Sequence, residues 1–131
     1  MNTIYDYYHK LSDRYYIAHR SGKLFFEWDL KARPVIVPGY EEFDLYLHRE
    51  DKEIFLCEGL TGIVLLRQCN IEERMVREGG LQTFIDFLPG ELSVKGGRAW
   101  LNKRMYDFIL DNNRKVSPRY KIKENIKDKQ R

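Results

Sequence analysis

The sequence predicts an α+β domain: a single antiparallel sheet, built from an N-terminal hairpin plus a three-strand meander, with helices packed on one face. Three observations carry this expectation. Between residues 14 and 68, apolar runs alternate with turn signals at Ser21-Gly22, "REDK" (49–52) and "GLTG" (59–62). After Cys69 the apolar period lengthens from that of a strand to that of a helix. The chain has 131 residues, 43% of them hydrophobic and 14% aromatic, which is one domain's worth with enough apolar surface for a core.

In chain order, "MNTIYDYYHKLSD" spaces Ile4, Tyr7, Tyr8 and Leu11 as a helix over about 3–12, with Asn2 or Thr3 as N-cap. "RYYIAHRSGKLFFEWDL" reads as a hairpin around Ser21-Gly22. Its second strand puts Leu24, Phe26, Trp28 and Leu30 on one face, and Phe25, Glu27 and Asp29 on the other. "ARPVIVPGY" lies between Pro34 and Pro38, so it is an edge strand or an extended crossover. "FDLYLH", "EIFLCE" and "IVLLRQC" form the meander. Phe43, Leu45, Leu47, Ile54, Leu56, Val64 and Leu66 are its expected core side.

The helical half begins with Asn70 and Glu73, spaced like a capping box, ahead of "IEERMVRE", which Gly79-Gly80 ends. "LQTFIDFLP" is a second helix stopped by Pro89, and "GELSVKGG" a loop or short strand. From Gly97, "RAWLNKRMYDFILDNN" aligns Leu101, Met105, Phe108 and Ile109 on one stripe that should cover the sheet. Residues 1–113 are therefore the expected domain, and 114–131 a basic, flexible tail.

Charge supports that division. Residues 114–131 hold eight Lys/Arg against two acids, leaving 15 basic and 18 acidic residues for 1–113. A net +6 tail thus follows a net −3 body, whose acid concentrates in "EEFDLYLHREDKEIFLCE" (41–58). The longest uncharged apolar run, "LTGIVLL", is far short of the ~20 residues of a membrane span, and the N-terminus lacks a signal-peptide layout. Cys57 and Cys69 make no disulfide framework, so a reducing, cytoplasmic setting is the simplest reading.

Catalytic and metal signatures are absent from the pattern. His9, His19, His48, Cys57 and Cys69 show none of the paired spacings of structural zinc sites, and no metal or other cofactor is expected. Arg14 and His19 have the Arg-then-His spacing of some small ribonucleases, but the intervening Tyr-Tyr-Ile-Ala belongs to a hairpin flank. Gly96-Gly97 precede a helix, with Lys95 and Arg98 placed to contact a phosphate there. Five of the nine tyrosines fall in the first sixteen residues, and an aromatic patch of Tyr5, Tyr8 and Tyr15 would serve a binding surface or stack on unpaired bases. In the tail, Arg114, Lys115, Arg119, Tyr120, Lys121 and Lys123 would form an electrostatic arm.

These features favour a small non-enzymatic binding protein, an inhibitor or accessory factor of the kind phages and mobile elements carry. Its partner would be an acidic macromolecule, either a nucleic acid or a nucleic-acid-handling protein. A small metal-free ribonuclease or toxin using His19 or His48 is one alternative, and an oligomeric structural subunit is the other.

Overall fold

The computed structural model describes residues 3–68 and 81–123. It is a mixed α+β structure with two helices and eight short strands among those residues. The strands form three antiparallel sheets rather than one: β1 (Tyr8–Lys10) with β8 (Tyr120–Ile122), β2 (Tyr16–His19) with β3 (Phe25–Trp28), and the sheet β4 (Arg33–Val35), β5 (Leu45–Glu50), β6 (Glu53–Glu58), β7 (Val64–Gln68). The helices are α1 (Leu81–Lys95) and α2 (Gly97–Asp111).

The expected meander is present as β5, β6 and β7, with β4 on the edge where its prolines are tolerated. The core lies between the inner face of this sheet and the helices. Leu45, Leu47, Ile54, Leu56 and Leu65 meet Leu88, Leu92, Leu101, Met105, Phe108 and Ile109. On β7 the expected phase is wrong. Cys57 pairs with Val64 and Leu56 with Leu66, so Leu65 is an extra residue at a bulge and turns into the core. Val64 is left exposed and Leu66 half-buried.

Three further expectations are corrected. Only Ile4–Tyr7 coils, as a 3₁₀ turn in which the Thr3 amide donates to Asp6 Oδ2. The residues after it extend as β1 because β8 offers them a hydrogen-bonded partner. The second helix runs straight through Pro89 to Lys95. The hydrogen bond that proline cannot donate is outweighed by burying Leu88 and Leu92, four residues apart on one face. In the hairpin, Leu24 and Phe26 pack on the core, but Leu30 lies in solvent and Asp29 turns inward. The helix expected over 71–78 lies outside the described residues.

The sheet's outer face is also covered. Tyr46 and Cys57 are both buried there beneath Tyr15, whose ring stacks on Tyr46 at 4.5 Å. The Tyr46 hydroxyl donates to the Tyr16 carbonyl, tying the hairpin to the sheet.

Candidate functional site

Several residues expected to form a binding surface are instead part of the interior. Arg119 is buried and donates through Nε to Asp44 Oδ2 at 2.8 Å and through a terminal nitrogen to the Ser12 carbonyl at 2.8 Å. Its guanidinium lies 3.9 Å from the Tyr15 ring centroid. Tyr120 donates to Asp44 Oδ2 at 2.6 Å, and Tyr15 to Oδ1 at 3.2 Å. A Cβ on Gly59 would land on the Asp44 carboxylate, so only glycine allows this approach. The structured body therefore extends through Ile122, past the boundary expected at 113.

A fully buried carboxylate, Glu58, lies one hydrogen bond away. The Tyr5 hydroxyl accepts from the Asp44 amide and donates to Glu58 Oε2 at 2.8 Å. Glu58 also accepts from the Leu60 amide, the Thr61 amide and the Thr61 hydroxyl. Complete burial pushes its carboxyl up to about 7, although these donors pull in the other direction. Burial and the neighbouring carboxylates also raise Tyr5, and burial pushes Tyr15 up to about 12. Two of the seven carboxylates in 41–58 thus hold the fold together and offer nothing to an outside partner.

The other expected residues fall in two places. Lys95 is exposed at the end of α1. Arg98 is bonded to Glu42 at 3.0 Å and to the Gly39 carbonyl, with its guanidinium over the Tyr40 ring. The helix start at Gly96-Gly97 is therefore a packed junction in which Arg98 already has an anion. Tyr8 and Arg114, by contrast, share an apolar groove of about 350 Å³ with Ile4, Tyr7, Tyr106, Ile109, Leu110 and Ile122. Tyr7 (58%), Tyr106 (46%), Leu110 (66%) and Ile122 (53%) are strongly exposed for their size. The flanking elements carry Lys10, Lys115, Lys121 and Lys123, all exposed. Tyr106 and Leu110 were not anticipated. Their i, i+4 spacing on α2, beside the buried stripe, is the signal that could have found them.

A cleft of about 400 Å³ opens on the opposite face of the meander, lined by hairpin residues and by His48, Glu50, Phe55, Cys57 and Val64 of the sheet. His48 Nδ1 is 2.8 Å from the buried Asp29 carboxylate, and His19 Nε2 is 3.2 Å from Glu27. Such pairs can move protons. Among the described residues the cleft nevertheless holds three carboxylates and one lysine, a charge balance that repels a phosphodiester. Burial also pushes the Cys57 thiol up to about 12, which makes it a poor nucleophile.

Among the described residues, no group of three or more His, Cys, Asp or Glu could hold a metal ion, and no helix is long and apolar enough to cross a membrane. No protein-family model matches the chain, and no curated protein or solved structure is significantly similar to it.

Proposed function

We propose that this is a non-enzymatic binding protein, an inhibitor or accessory factor, whose working surface is the tyrosine-lined groove between the 3₁₀ turn, α2 and β8. The reading rests on one observation: exposed aromatic and aliphatic side chains cluster beside the exposed Arg114, and the flanking elements carry the exposed Lys10, Lys115, Lys121 and Lys123. Folding has no use for that much exposed apolar surface. Tyr7 and Tyr106 offer rings on which unpaired bases can stack, and the cations offer phosphate contacts. A single-stranded nucleic acid is the partner this surface fits. An acidic protein segment is the second reading, favoured by the exposed aliphatic Leu110 and Ile122 that line the groove.

Anisotropy of a labelled mixed-sequence oligonucleotide, titrated across a salt series, tests the proposal. Each phosphate contact contributes about 0.7 to the salt slope for a single strand, so a variant at Arg114 of the groove and Lys10, on the Tyr8 side of β1, K10E/R114E, should flatten it by about 1.4. Tyr7→Ala should weaken binding by about 1–3 kcal/mol without changing the slope. No binding at low salt refutes the nucleic-acid reading, and tight binding of an acidic apolar peptide in its place would establish the second.

A further inference from the structure

We propose that the cleft between the β2–β3 hairpin and the outer face of the meander is a second binding site, which accepts an arginine side chain flanked by a large apolar residue on a partner protein. His48 Nδ1 lies against both oxygens of the buried Asp29 carboxylate, at 2.9 and 2.8 Å. A carboxylate accepts only, so in the neutral ring Nδ1 carries the proton and Nε2 is an acceptor. Nε2 has no hydrogen-bond donor among the described residues. It lies 3.6 Å from another acceptor, the Glu50 carboxylate.

A donor that entered between these two acceptors would bond to both of them. Glu27 adds a third acceptor, and among the described residues Lys31 is the only lysine or arginine in the lining. The site therefore selects a ligand that brings donors and positive charge. A planar guanidinium, with donors along two edges, can reach Nε2 and a Glu50 oxygen together, whereas an ammonium is a single point of charge.

The walls set the rest of the specificity. Ile17, Trp28, Leu30, Phe55 and Val64 surround the acceptors, and Leu30 is 77% exposed. Arg14 lies over the Trp28 ring at 4.0 Å and holds it in place. Exposed apolar walls around an acidic floor complement an arginine with a bulky apolar neighbour. This surface faces away from the helices, whereas the tyrosine groove is built on α2, so the two sites can be occupied independently.

Trp28 provides the test. In a Trp100→Phe background, its fluorescence reports occupancy of the cleft, and circular dichroism confirms that each variant is folded. The probe is acetyl-Phe-Arg amide, compared with the citrulline dipeptide of the same shape and no charge, and with acetyl-Phe-Glu amide. The arginine probe should give a saturable change and bind about tenfold more tightly than the citrulline probe. Glu50→Gln in a folded protein should erase most of that difference. Equal binding of the arginine and citrulline probes, preference for the glutamate probe, or no saturable response up to about 10 mM would each overturn the proposal.

Discussion

Replacing Glu58 with glutamine should change how the protein's stability depends on pH. The carboxyl is fully buried and pushed from its ordinary 4.5 up to about 7. Between those values the folded protein holds a proton that the unfolded chain has released. The stabilisation is therefore complete below about 4.5 and is lost as pH rises through about 7. That displacement corresponds to about 3 kcal/mol of folding free energy across the window. Glutamine cannot ionise, so the variant should lack this slope. Its absolute stability should still fall, because the amide NH₂ would confront one of the donors from Tyr5, Leu60 or Thr61. Urea denaturation of both proteins from pH 5 to pH 8 isolates the residue, since every other titrating group contributes to both curves. The stability difference between wild type and variant should shrink by about 3 kcal/mol towards high pH. A difference independent of pH would mean that the four donors hold Glu58 ionised throughout, and would refute the dominance of burial.

Other consequences are simpler to measure. Arg119→Ala leaves the largely enclosed Asp44 carboxylate without its ion-pair partner, and should cost about 3 kcal/mol by chemical denaturation. A 1–113 fragment, lacking β8 and Arg119, should melt well below the full chain; equal melting temperatures would show that the β1–β8 pairing contributes nothing. Leu101→Ala should cost about 2–5 kcal/mol, whereas the same change at exposed Leu110 should stay within about 0.5 kcal/mol and act on binding instead.

Much of this architecture could be read along the chain, for identifiable reasons. β5, β6 and β7 are joined by short turns, so their alternation is a local signal, and the Leu101–Ile109 stripe of α2 repeats at helical period within one segment. What could not be read depends on distant partners. Tyr8–Lys10 becomes a strand only because residues 120–122 come to lie beside it. The charges of Asp44, Glu58 and Arg119 look solvent-facing in sequence, and only three-dimensional closure shows that they satisfy buried groups. The bulge opposite Leu56 shifts the phase of β7 by one residue, which a period count cannot detect. The groove was half legible: Tyr8 and Arg114 were expected and Tyr106 and Leu110 carry a helical spacing, but Tyr7 and Ile122 join them only through the fold.

The contact from Arg119 to the Ser12 carbonyl spans 107 positions along the chain. Synthesis runs in one direction, so Ser12, Tyr15 and Asp44 have all left the ribosome long before the guanidinium that will bind them exists. Until then Asp44 has no cationic partner, and β1 has an open edge on which another chain could pair. The nascent protein thus passes through a stage in which nearly all its hydrophobic residues have been made but the link between its first and last strands has not. Loops this long close late, so chaperone demand and aggregation risk should fall in that interval, and codon changes that slow elongation just before residue 117 should lengthen it.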